Sequence, residues 1–385
     1  MTKTIGSALA LFKNERSTKM QPARLMDRPE DYKRLGLQKG NVEPWEDGMR
    51  DNFDAGHFEW WYFDCMLDDG TKVAASFSTK LSTATSMEGN HPAFVFYFNT
   101  PDGRFIPQPF FQFTPDQISY SKDGCDVRYG PHSISGNLKE YRIKAEPVNG
   151  HGFDFVLKNQ VSSWRGDAGY IGMGENDERY FTWLCAAPRG TVEGTITIDG
   201  KTTNVTGYGY HDHQWGNIHH AEFLNHWLWA RQSIGDYTLL VFDFVLNKEY
   251  GYKRIPLMFV QDKDGKVLIE NTENVECKVL EEYVMDATQT KFPKVTKYKY
   301  ENNGKKLEYL LTVKEELEGK DAYVTLTDTM KEISDKFNAY PKYGRYHADG
   351  EFTLTDGDAV IHQKGDLIYE FSYIGRSYKE LMDTE

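Results

Sequence analysis

The sequence predicts an all-β protein built of two related β-domains. Three observations carry that prediction: β-branched and aromatic runs punctuated by Asp-Gly turns, an aromatic content of 14% with 24 Tyr and 23 Phe, and an internal repeat. Side chains of these kinds suit long pleated strands better than a helical bundle.

The first fifty residues are polar and Pro-containing and read as an extended arm, with one short helical candidate in "PEDYKRLGL" (29–37). Strand signals dominate from about residue 57. "HPAFVFYFNTPDGRF", "GTITIDGKTTNVTGYGY" and "DYTLLVFDFVLNKEYGYKRIPLMFVQDKDGKVLI" are hairpin-like runs, and their spacing predicts meanders closed as barrels or sandwiches. A second helical candidate, "SYKELMDTE" (377–385), ends the sequence. The repeat places "FEWWYFDCMLDDGTKVAASF" (58–77) over "NHWLWARQSIGDYTLLVFDF" (225–244), so that Trp60 falls on Trp227 and Tyr62 on Trp229. Each copy is a Trp-x-aromatic strand, a tight turn and a second strand. The expected division is an arm over 1–50, one β-domain over 51–220 and another over 221–378.

Composition narrows the function. Cys65, Cys125, Cys185 and Cys277 form no C-x-x-C pair, which argues against a redox motif or zinc knuckle and for a reduced, cytoplasmic setting. The opening apolar run, IGSALALF, is short for a signal peptide, and no run approaches the roughly 18 residues of a membrane span. A net charge of −13 with no basic block disfavours nucleic acid or an anionic membrane as partner. The expected partner is a small apolar molecule. No G-x-S-x-G elbow, P-loop, G-x-G-x-x-G or H-E-x-x-H is present, so no nucleotide or other organic cofactor is expected and none of these motifs marks a metal.

Chemistry concentrates in "GYGYHDHQWGN" (207–217). On a strand, His211, His213 and Trp215 share one face while Asp212 and Gln214 take the other. Five of the 11 histidines fall between 211 and 226, His226 among them. Three readings stay open: a His-x-His metal site completed by a third His or Glu222, a set of histidines satisfied by backbone and carboxylate partners, and an acid/base site. The last depends on "TLLVFDFVL" (238–246), apolar on both pleat faces with Asp243 in its middle. Such a strand is covered on both sides, so Asp243 must find partners, such as Arg231 or tyrosine hydroxyls, or stay protonated. A buried neutral carboxylic acid is a competent proton donor. Trp60, Trp61, Tyr62, Trp215, Trp227 and Trp229 are candidates to line one cavity, with Glu59 a further acid on the strand face opposite Trp60.

Together "GHFEWWYFDC" (56–65), "GYGYHDHQWGN" and "HWLWARQ" (226–232) resemble the lipocalin-like hydroxyneurosporene synthase family, which includes carotenoid hydratases and AttH-type proteins. The resemblance implies two tandem lipocalin-like β-barrels with few short helices. Similar scaffolds serve as hydratases of plant phenolics and as pericyclases. The hydratases' His-x-Trp pair matches His213 and Trp215, and their Tyr-x-Asp falls on Val241 and Asp243, with the tyrosine missing. The expected activity is therefore a cofactor-independent hydratase or isomerase acting on an unsaturated terpenoid, prenylated or phenolic molecule. Asp243 would donate the proton, His213 handle the water, and Trp215, Trp227 and Trp229 shield the cation, with Trp60, Tyr62, His211, His226 and Glu59 around the substrate. A pericyclase and a non-catalytic binder of a hydrophobic ligand are the alternatives.

Overall fold

The structure is a computed structural model, and it describes residues 20–375 apart from 82–83, 109–110, 272 and 337. It forms two compact units: the first takes the chain up to Asn159 with Ser163–His219 and Glu249–Gly251, and the second takes Gln160–Ser162, His220–Lys248 and the chain from Tyr252. Each is an antiparallel sheet curled around its own apolar core. Helices are few and short: Pro29–Leu35, His220–Phe223 and Asp328–Lys336. No helix among the described residues is long and apolar enough to cross a membrane. The fold is thus all-β, as the aromatic strand runs predict. The terminal stretch 377–385 lies outside the described residues.

In the first unit five neighbouring strands hold the site: β1 (Phe58–Leu67), β2 (Lys72–Ser78), β3 (Ala93–Asn99), β4 (Arg179–Ile198) and β5 (Lys201–Gly216). They lie in the order β3-β2-β1-β5-β4. The second unit repeats that order as β8-β7-β6-β10-β9, with β6 (Leu224–Ile234), β7 (Tyr237–Leu246), β8 (Arg254–Asp262), β9 (Lys342–Asp356) and β10 (Ala359–Tyr373). The hairpin repeat read from the sequence therefore occupies equivalent places in the two sheets.

The overlay slips by one residue past the turn. Tyr62 pairs with Ser76, but Trp229 pairs with Phe242 rather than Asp243, because the second hairpin turns through Gly235 and Asp236 alone while the first uses a longer loop. Turn length sets register, and one residue of slip exchanges the faces of the second strand. Asp243 thereby takes the core-facing place of Phe77.

Residues 20–50 are no extended arm. Ala23–Leu25 pairs with Tyr170–Met173, Pro29–Leu35 is helical as predicted, and Pro44–Asp47 forms a 3₁₀ turn. The polar composition that suggested solvent is spent on interior contacts: the buried Arg165 guanidinium donates to the carbonyls of Gln38 and Asn41 and lies 3.3 Å from Glu46. That pinning places Asp47 inside the first unit.

Candidate functional site

Strands β1 and β5 run antiparallel with His213 opposite Trp61, Trp215 opposite Glu59 and His211 opposite Phe63. Directly paired residues share a face, so these six side chains converge on the core. Gly207 permits the close approach of the two strands, since a Cβ there would sit 2.3 Å from the Met66 carbonyl oxygen. His211, His213 and Glu59 are fully buried, and Asp47 nearly so.

Burying that many polar groups costs roughly 1–3 kcal/mol for each one left unsatisfied, so their partners define the site. His213 Nε2 lies 2.6 Å from Glu59 Oε1. Glu59 also accepts from the backbone N–H groups of Arg50 (2.8 Å) and Asp51 (2.7 Å). Burial pushes the Glu59 carboxyl well above the usual range and pulls His213 down to about 3, so the shared proton resides on Glu59, which donates to a neutral imidazole. His213 is stacked on Trp61, and Trp215 lies on it too, each with ring centroids 4.6 Å away. Asp47 Oδ1 is 3.5 Å from His213 Nδ1, and Asp47 Oδ2 is 3.3 Å from His211 Nε2 and accepts from the Tyr141 hydroxyl at 2.6 Å. Burial works against charge on His211, but the Asp47 carboxylate outweighs it and holds that ring above its ordinary value.

Behind Glu59, Thr79 donates to Asp51 at 2.7 Å, and Lys80 Nζ donates to the carbonyls of Phe53, Asp54 and Met87. These contacts fix the loop that presents the two N–H groups to Glu59. On the opposite face of β5, Asp212 accepts from Trp183, Tyr210 and Gln214, and burial raises it to about 6.

The structure brings together His211, His213, Trp215 and Glu59, and adds Trp61, Asp47, Asp51 and Tyr141. It separates the other candidates. Trp60 and Tyr62 pair with Gln214 and Asp212 and so face away from His213. The grouping of Trp60 and Tyr62 with Glu59 is corrected by the pleat: residues an odd number of positions apart on a strand cannot share a face. Among the histidines, His211 and His213 belong to the first unit while His226 belongs to the second, as does Glu222.

In the second unit Asp243 is buried, with partners other than Arg231. Arg254 donates from Nε to Oδ1 (2.9 Å) and from Nη2 to Oδ2 (2.5 Å), and the Tyr298 hydroxyl donates at 2.8 Å. A carboxylate forked by guanidinium is an ion-pair partner rather than a free acid. Asp243 pairs with Leu228, whereas Trp227 and Trp229 pair with Phe244 and Phe242. The two tryptophans thus lie across the sheet from Asp243, and they cannot shield a cation formed beside it.

His226 pairs with Tyr373, stacks on Phe371 and donates from Nδ1 to Asn225 Oδ1. Burial lowers it to about 3. The unfolded chain therefore binds a proton that the folded unit refuses between about pH 6.5 and 3, and stability must fall as pH falls through that window. Urea unfolding at pH 7 and pH 4 should show His226→Gln losing about 3 kcal/mol less than the parent over that interval. Equal losses would mean that His226 is hydrated in the folded unit.

Fold and site together define an all-β protein with a buried, aromatic-flanked carboxyl–imidazole pair. The chain belongs to the AttH-like family, whose profile matches residues 108–320, more than half its length. It is 25% identical over 285 residues to the ceramide-binding protein svf1 of Schizosaccharomyces pombe, covering 69% of this chain and 70% of that one. Its fold is similar to that of a putative AttH from Nitrosomonas europaea (TM-score 0.62, 16% identity, 87% of this chain and 98% of that one). It is also similar to kievitone hydratase from Nectria haematococca (TM-score 0.52, 14% identity, 87% and 94%).

Proposed function

We propose that the first unit acts on an apolar, unsaturated small molecule, of terpenoid, prenylated or phenolic type, by proton transfer without an organic cofactor. The observation that carries this reading is the Glu59–His213 pair, 2.6 Å apart, with His213 flanked by the indoles of Trp61 and Trp215. The role of proton donor passes from Asp243, committed to Arg254, to Glu59. Glu59 gives its proton to one alkene carbon and becomes a carboxylate. Water adds to the neighbouring cationic carbon, and its proton returns through His213 to Glu59, so the net change is addition of one water. The electron-rich faces of Trp61 and Trp215 favour the cation between the two steps. Glu59 and His213 are fully buried, so the half-buried Tyr170, packed on Trp215, and Tyr180, packed on Tyr170, must part to admit a substrate. The fold shared with kievitone hydratase supports hydration as the class of reaction.

A second reading, a non-catalytic carrier of a hydrophobic ligand, is favoured by the likeness to the ceramide-binding svf1. One experiment separates them: the full chain is incubated in D₂O with prenylated phenols, terpenoid alkenes, unsaturated ketones and a ceramide, followed by product and native mass spectrometry. Carbon-bound deuterium in a product supports proton transfer. Retained ceramide with no product from any alkene would replace the first reading by the second.

A further inference from the structure

We infer that Asp47, Cys125 and His211 form a binding site for a thiophilic divalent metal ion of the zinc type. The inference goes beyond the proton-transfer reading and does not depend on it. One ligand atom from each residue lies within 4.8 Å of the others, and all three residues are buried. They come from three separate parts of the first unit: the 3₁₀ turn Pro44–Asp47, the residue preceding strand Asp126–Tyr129, and β5.

The surroundings are those of a metal centre. His211 Nδ1 is 2.7 Å from the Tyr62 carbonyl oxygen, so it carries the proton and turns Nε2 toward Asp47 and Cys125. Metal-bound imidazoles are held in this way, with the distal N–H on a carbonyl or carboxylate. The Tyr141 hydroxyl donates to Asp47 Oδ2, as outer partners of ligating carboxylates do. One buried atom of the cluster, Asp47 Oδ1, has no hydrogen-bond partner. A cation at Asp47 gives that oxygen a partner.

The donor set selects the ion. One sulfur, one imidazole nitrogen and one carboxylate suit zinc, whereas calcium and magnesium require oxygen ligands. The His-x-His reading of the sequence would instead have drawn on Glu222 or another histidine. Asp47 and Cys125 carry no spacing signal that links them to His211.

The test uses metal content and spectra rather than activity. The full chain is stripped with chelator, dialysed and titrated with zinc against a chromophoric competitor, then with cobalt. One metal per chain is expected, with a thiolate-to-cobalt charge-transfer band. Cys125→Ser should weaken zinc binding by more than about 100-fold and remove the band, while Cys277→Ser should keep both. Should Cys125→Ser fail to fold, the parent's cobalt spectrum still decides. No stoichiometric zinc, or bound cobalt without a thiolate band, overturns the site and leaves Asp47 and His211 as an ordinary ion pair. Deuterium incorporation by the same protein is scored separately, so failure of the metal site and failure of the proton-transfer reading are distinct results.

Discussion

Glu59→Gln is expected to lower hydration turnover by roughly 10²- to 10⁴-fold, about 3 to 5 kcal/mol of activation free energy, with little change in fold. The amide can keep its oxygen on the Asp51 N–H and turn its NH₂ to His213 Nε2, giving up the bond from the Arg50 N–H alone, so the ring and most of the loop contacts stay in place. What it lacks is a proton that can leave. Asp243→Asn, by contrast, touches no group of the first unit's site, and turnover should stay within about threefold of the parent once the folded fraction is matched. The two variants assayed side by side in D₂O therefore assign the donor. Loss of deuterated product in Asp243→Asn with retention in Glu59→Gln would reverse the assignment.

The sequence made some of this site legible and hid the rest for identifiable reasons. Alternation along 211–215 placed His211, His213 and Trp215 on one face, because a pleat has only two sides. It could not choose between Trp60 and Trp61. Aromatics occupy 60, 61, 62 and 63 without a break, and a period-two signal vanishes when both faces are apolar. Glu59 gave no guide either: it shares a parity with Trp61, and an acid ordinarily marks the solvent face. Asp47 and Tyr141 were invisible because they reach the site from distant segments. Residues 20–50 looked solvated because they are polar, yet the acids at 46 and 47 face inward, with Arg165 beside Glu46 and the Tyr141 hydroxyl on Asp47 Oδ2. Burial of Asp243 could be read from the apolar strand around it. A tyrosine hydroxyl was among its expected partners, as Tyr298 is, but Arg254 could not be read, since pairing β7 with β8 is what brings it alongside.

Arg254→Met is expected to destabilise the second unit by about 3 to 5 kcal/mol, measured as a lower urea midpoint. The Asp243 side chain is 1% exposed and that of Arg254 15%, so removing the guanidinium strands a carboxylate in a place that the first unit fills with Phe77. Tyr298 alone supplies one hydrogen bond against that desolvation. The pair as such need not stabilise the fold. Desolvating two charges offsets most of their attraction, and replacing both by apolar groups of similar volume is often neutral or better. Asp243→Leu combined with Arg254→Met and Tyr298→Phe should therefore recover most of the loss seen in Arg254→Met alone. Recovery would show that the ion pair replaces a core side chain and is dispensable for folding. If the triple variant stays as unstable as Arg254→Met, the carboxylate organises β7 and β8 in a way that an apolar core cannot, and the strong coupling then belongs to the pair itself.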